Sequence, residues 1–397
     1  AVFLMLKNIY RSRWAWTGIL VLSVTPAWFL HTRTAFETVL ATAFYAFFLY
    51  AYSMYRSGRP RWLFAAVLAG ALSFYSYSPE QVILVVTALA LLIADWRYHL
   101  RHLRLVGLAF AFALILTIPY FRFQIVHPDE TKNHLLMLGS YWLDAIPFIE
   151  KVGRYLLEYL HGLNPYYWFR LDPEGLARHM IKGYGYLWLP AAPFAFLGLI
   201  LSLTRVRKPE YRTLIIAMLV IPSGAALVEV GITRLLSMVI PYALLTVIGL
   251  TWTLDLLAER IQRRRLPGLP ALILSAVMLL ALGGANIYLL VYSLQGSGTW
   301  YQQYGLGGMQ YGQRQVFGAI KQLLKENPSQ KIMLSPAWMN GTDIVAYFFF
   351  DEPLPFELGS INGFIDRYQP LDPNYLFITT PEELTDIQNS GKFTDVQ

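Results

Sequence analysis

The chain has no cysteine, so disulfides, thiolate metal sites and cysteine nucleophiles are excluded, and the redox compartment stays open. It also has little charge. Only 14% of its 397 residues are Asp, Glu, Lys or Arg, against 56% hydrophobic and 15% aromatic. That balance belongs to a polytopic membrane protein, not to a soluble domain. The net charge of +7 is therefore no signal for nucleic acid. Internal repeats, low-complexity tracts and a Ser-His-acid arrangement are all missing. The opening AVFLML has no charged n-region, which excludes a signal peptide. It reads as the tail of an earlier helix, and the closing KFTDVQ as the start of a strand. The expectation is a fragment lacking both ends.

What is present is a series of nine apolar stretches, at 14–30, 36–54, 62–78, 81–95, 105–123, 186–204, 212–230, 235–254 and 268–292. Most approach the roughly 20 residues an α-helix needs to cross about 30 Å of hydrocarbon. Stretch 81–95 is short and needs a thin or shielded path. Loops 7–13, 55–62, 96–104, 205–212 and 255–267 then fall on one side, and they hold 17 of the 32 Lys and Arg residues in 45 positions. The positive-inside bias makes that side cytoplasmic and the protein a multi-pass protein of the plasma (inner) membrane. Arg263, Arg264 and Arg265 suit anionic headgroups, or act only as topology determinants.

The expected fold is a polytopic α-helical membrane domain over 1–292 with a small extracytoplasmic α/β domain over 293–397. Three parts face outward. Short loops join the spans at His31 to Thr38, Ser78 to Glu80 and Glu229 to Arg234. A long loop, 124–185, is rich in Trp and Tyr. Within it Phe148, Ile149, Val152, Tyr155, Leu156, Tyr159 and Leu160 recur at helical spacing, which predicts an amphipathic helix. It lies in the interface or packs on the spans. The third part, the tail, predicts a helix over Gln313 to Asn327 and a strand over Lys331 to Ser335. A short helix over Asp343 to Phe350 and a strand over Tyr375 to Thr379 follow. Thr380, Pro381 and Glu383 form a helix start with N-cap, N1 proline and capping-box acid. Alternating strands and helices predict a parallel sheet.

Few residues carry chemistry at depth. In TPAWFLHTRTAFET, Pro26 ends or kinks a span, and Arg33 and Glu37 follow four apart at the membrane mouth. If the next helix begins near Thr34 they share a face. Arg33 fits a phosphate through its planar fork, with Glu37 orienting it or binding a metal; a structural ion pair is the alternative. Glu229 and Arg234 bracket another outer loop, and Arg234 is a second phosphate ligand or a snorkelling cation. Arg122 is a weaker case. In HPDETKNH, His127, Asp129, Glu130 and His134 offer metal donors and Lys132 a phosphate contact, but their spacing matches no metal motif and a solvated loop is favoured. Tyr166, Trp168 and Arg170 place rings beside a cation, which suits a sugar and a lipid phosphate, or an interfacial belt. The glycines from Gly305 to Gly312 follow no strand and make a flexible exit from the membrane. Asn340 heads a glycosylation sequon, a short pattern that arises often by chance.

The proline-tryptophan exit followed by HTRTAFE, together with GGMQYGQRQVF, SPAWMNGTDIVAYFF and LFITTPEEL in the tail, resembles bacterial relatives of the dolichyl-phosphate-mannose protein mannosyltransferases. These are GT-C membrane glycosyltransferases of glycosyltransferase family 39, a class that includes the aminoarabinose transferases. The resemblance implies sugar transfer from a polyprenyl-phosphate donor to a protein, lipid or glycan acceptor at the outer face, within the cell envelope. It implies an Arg with an acid four residues on, matched by Arg33 and Glu37. It also implies that the catalytic acid lies in the first outer loop, ahead of Ala1, so these 397 residues alone are expected to be inactive. Within the chain Glu37 and Asp129 are the candidate bases, and Arg33, Arg234 and Lys132 the donor-phosphate ligands. Cations alone or a divalent metal ion can meet the leaving phosphate. A transporter or flippase is the competing class, and it predicts interrupted helices, matched halves and mid-membrane charges.

Overall fold

The structure is a computed structural model that describes residues 1–34, 36–172, 175–262, 269–295, 312–339, 341–365, 372 and 374–393. The chain divides into two units, one of residues 1–175 and 183–291, the other of residues 176–182 and 292–397.

The first unit is helical. It begins with α1 (Val2–Asn8), α2 (Thr17–Val24), α3 (Pro26–His31), α4 (Glu37–Arg56), α5 (Trp62–Ser76) and α6 (Ser78–Ala94). The chain continues through α7 (Trp96–Arg101), α8 (Leu103–Val126), α9 (Glu130–Met137), α10 (Phe148–Leu163) and α11 (Pro165–Phe169). It closes with α12 (Ala192–Thr204), α13 (Pro209–Val220), α14 (Pro222–Ala225), α15 (Ile232–Leu235), α16 (Val239–Gln262) and α17 (Leu269–Leu294). Among the described residues four helices are long and apolar enough to cross a membrane: Glu37–Arg56, Leu103–Val126, Ile232–Arg260 and Ala271–Leu294. Trp62–Ser76, Ser78–Ala94 and Leu189–Thr204 are apolar but shorter. The stretches at 14–30 and 212–230 are each divided in two at a proline, Pro26 and Pro222, because proline lacks the N–H that would continue the ladder.

Pro119 sits inside α8, yet that helix continues. The Tyr75 hydroxyl from α5 donates to Leu116 O at 2.7 Å and accepts from Tyr120 N at 3.2 Å. It thereby bridges Leu116 O and Tyr120 N, an i, i+4 pair of backbone groups that spans Pro119. At the centre, α16 is almost wholly buried, while few residues of α8 and α17 are buried. Glycines let α12 reach α16. A Cβ on Gly198 would meet Leu245 O at 1.9 Å, and one on Gly249 would meet Phe194 O at 2.0 Å. Backbone-to-backbone approach of this kind is how helices pack where lipid tails remove the hydrophobic drive.

The long loop is largely helical. On α10 the predicted apolar residues divide between both expected roles. Tyr155 and Tyr159 pack inward, with the Tyr159 hydroxyl donating to Leu219 O at 2.8 Å. Phe148, Ile149, Leu156 and Leu160 remain exposed, as an interfacial helix requires.

The second unit holds a three-stranded parallel sheet in the order β2-β1-β3. Its elements are α18 (Gln313–Glu326), β1 (Lys331–Leu334), α19 (Thr342–Phe349), β2 (Glu357–Leu358), α20 (Asn362–Ile365), β3 (Tyr375–Ile378) and α21 (Pro381–Ser390). Phe317 and Ile320 of α18 pack on Ile332 and Leu334 of the central strand, with Trp338, Met339 and Phe356 around them. The capping box at Thr380 and Glu383 forms as its sequence specifies. Gly312 opens α18 at φ +97, where a side chain would be strained. Gly305 and its neighbours to 311, Asn340, and Arg263 to Arg265 lie outside the described residues.

Candidate functional site

Four short pieces of chain meet at the end of the first unit remote from the basic loops: the start of α4, the α5–α6 junction, the segment from Glu229 through α15, and the stretch around α11. Glu37 is the first residue of α4 and is exposed. Tyr77 lies between α5 and α6, where an extended backbone precedes the Ser78-Pro79-Glu80 helix start. The Tyr77 hydroxyl lies close to Thr233, and Arg234, Glu37 and Glu80 act on it electrostatically. Arg234 donates from Nη1 to Glu229 O at 2.8 Å and is half-buried. Glu158 of α10 fixes the same loop by accepting from Val230 N at 2.8 Å.

Arg234 also acts on Tyr167, a buried residue of α11. Burial, and then the nearby Asp172 carboxylate, push the Tyr167 phenol up, so it remains a neutral donor. The Tyr186 ring lies tilted beside it, centroids 5.1 Å apart, and its hydroxyl donates to Asp172 at 2.9 Å. One turn beyond Arg234 an apolar groove of about 220 Å³ opens, lined by Met238, Tyr242, Trp168, Phe169, Phe196 and Met218 among others.

The structure therefore brings Glu37 and Arg234 to one place. It separates Arg33 from Glu37, which corrects the expected face-sharing pair. Their shared helix does not form, because α3 ends at His31 and Phe36 is an extended N-cap of α4. Arg33 instead turns back, its guanidinium 3.7 Å from the Phe29 ring centroid and donating to Phe29 O at 2.8 Å. No Arg33–Glu37 ion pair occurs among the described residues. Trp168 is buried as a wall of the groove, donating to Gly162 O at 2.8 Å, and so is not offered to a sugar. Tyr166 is exposed with Arg170 over its ring at 4.8 Å. Asp129, Glu130 and Lys132 lie exposed at the start of α9. Among the described residues no group of three or more His, Asp or Glu is arranged to hold a metal ion.

Two residues were missed from sequence. Tyr77 carries no charge to mark it. Glu80 resembles an ordinary first-turn acid, but it is 3% exposed. Its Oε1 accepts from Ser237, and Ser237 bonds Thr42 at 3.2 Å. Its Oε2 has no hydrogen-bond partner among the described residues. A buried carboxyl left half-satisfied beside a mouth is a group that calls for a functional reason.

Long apolar helices and ionisable groups gathered at one helical end define an integral membrane protein of mostly helical fold. Residues 1–122 match the family model of the dolichyl-phosphate-mannose-protein mannosyltransferases, which bears out the resemblance over that stretch and indicates a membrane glycosyltransferase. No curated protein and no solved structure matches the chain at a significant level.

Proposed function

We propose that the protein transfers a sugar from a polyprenyl-phosphate donor at the outer face of the membrane, with the prenyl chain in the apolar groove and the phosphate on Arg234. The observation that carries this reading is the seat itself. Arg234, half-buried, precedes by one helical turn Met238, which lines a groove shared with Tyr242, Trp168 and Phe169. An apolar tail and an anionic head joined in one ligand fit that pairing. The family match over residues 1–122 supports the same donor class.

In the reaction the acceptor oxygen bonds the sugar's anomeric carbon as the bond to the phosphate oxygen breaks. The acceptor proton passes to a carboxylate, and the electron pair leaves on the lipid phosphate. Arg234 stabilises that growing charge, and the neutral Tyr77 and Tyr167 hydroxyls are donors beside it. Arg33 is a second cation for the phosphate. Glu37, exposed at the mouth, is the carboxylate placed to orient Arg234 or take the acceptor proton. The basic loops at the opposite end support an outward-facing mouth.

The test is sugar transfer from a polyprenyl-phosphate donor by the full-length protein in membrane vesicles. Arg234→Ala should lower the rate roughly 10² to 10³-fold. Arg234→Lys should restore part of it, since the ammonium lacks the fork. A folded Arg234→Ala protein that transfers at the parent rate removes the phosphate role.

A further inference from the structure

The end of the first unit that bears the basic loops contains a second site. Its anchor is Asp95, 4% exposed, at the C-terminus of α6. Asp95 Oδ2 accepts from Arg56 Nε at 2.7 Å and from the Tyr52 hydroxyl at 2.7 Å. Oδ1 accepts from Arg212 Nη2. Arg212 also donates from Nη1 to Arg207 O at 3.0 Å, and the Arg56 guanidinium lies 3.8 Å from the Tyr98 ring centroid. The carboxylate thus ties the end of α4, the α6–α7 junction and the start of α13 together.

One carboxylate does not balance its surroundings. Arg56, Arg97, Arg101 and Arg212 all line a cavity of about 250 Å³, and Asp95 is its one acid among the described residues. Three positive charges are left over. Arg97 and Arg101, four apart on α7, have no acidic partner among the described residues. Arg212 Nε is buried and lacks a hydrogen-bond partner among them. Four guanidiniums around a cavity of this size suit a phosphate group, which accepts several N–H bonds at once. Apolar side chains stand beside it: Trp96 is 54% exposed, Leu100 56% and Leu103 63%. Tryptophan and leucine interleaved with arginine are the pattern of a membrane interface, where rings and aliphatic chains enter the acyl boundary and cations meet headgroups.

We propose that this cavity binds the phosphate of an anionic phospholipid, with Trp96, Leu100 and Leu103 against its acyl chains. The site lies at the opposite end of α4 from Glu37 and is distinct from the donor seat.

The experiment is native mass spectrometry of the full-length protein in neutral detergent, titrated with phosphatidylglycerol, with phosphatidylcholine, and with inorganic phosphate. Phosphatidylglycerol should be retained in preference to phosphatidylcholine. The double variant Arg97→Gln/Arg101→Gln should weaken that retention roughly thirtyfold, at about one factor of five per cation removed. Neither arginine holds Asp95, so the double variant keeps the clamp and the fold. Equal retention of the two lipids, or retention unchanged in the double variant, overturns the proposal. Displacement of the lipid by an equal concentration of inorganic phosphate would assign the cavity to the free anion and overturn the lipid assignment.

Discussion

Helix α4 carries one charged residue at each end, and the two ends are built in opposite ways. Its 20 residues place Glu37 and Arg56 about 30 Å apart. At the Arg56 end, opposite charges are in contact and buried, with Asp95 held by two arginines and a tyrosine. At the Glu37 end, charges stay apart. Glu37 is exposed with no ion-pair partner among the described residues, and Arg234 is held by a backbone carbonyl. A carboxylate that saturates its neighbours is architecture. A guanidinium positioned by a backbone carbonyl keeps its charge available to an anionic ligand.

Breaking the first end should therefore cost stability, and breaking the second should cost activity. Asp95→Ala strands two arginines without their counter-charge and should destabilise the fold by about 3–5 kcal/mol. Thermal unfolding in detergent measures this, and a melting temperature unchanged from the parent would show the clamp to be dispensable. Glu37→Gln should leave the stability within about 0.5 kcal/mol of the parent, as for an exposed surface change. Sugar transfer should nevertheless fall about 10²-fold or more, in the range for a lost acid-base or positioning group. Parallel losses of stability and rate would erase the distinction between the two ends. The smallest effect belongs to Ser237→Ala. It removes the hydroxyl that serves Glu80 and Thr42, and should cost about 1 kcal/mol. Stability equal to the parent would show that Glu80 finds another donor.

Features set by neighbouring residues were readable from the sequence. The Thr380-Pro381-Glu383 helix start, the break at Pro26 and the spacing along α10 all depend on local spacing or backbone chemistry, whereas the break at Pro222 was read through as part of one span. Arg234 stood out in the sequence because an ionisable group beside a span is conspicuous. The Arg33–Glu37 pair failed on one assumption, a helix starting near Thr34; the helix starts at Glu37, and the two side chains lose their common face. Glu80 and Asp95 were not readable at all. Each looks like a residue at a helix end, and its burial depends on partners distant in the chain: Ser237, 157 residues away, and Arg212, 117 away. Pairing across helices follows from packing, and apolar periodicity shows only which residues turn inward.

The donor seat is tested most directly by photo-crosslinking with a polyprenyl phosphate that carries a benzophenone on its prenyl chain. The account predicts labelling of peptides from α12 and α13 that contain Phe196 and Met218, competed by unlabelled polyprenyl phosphate and sharply reduced by Arg234→Ala. Labelling confined to other helices, or undiminished in the folded Arg234→Ala protein, would contradict it.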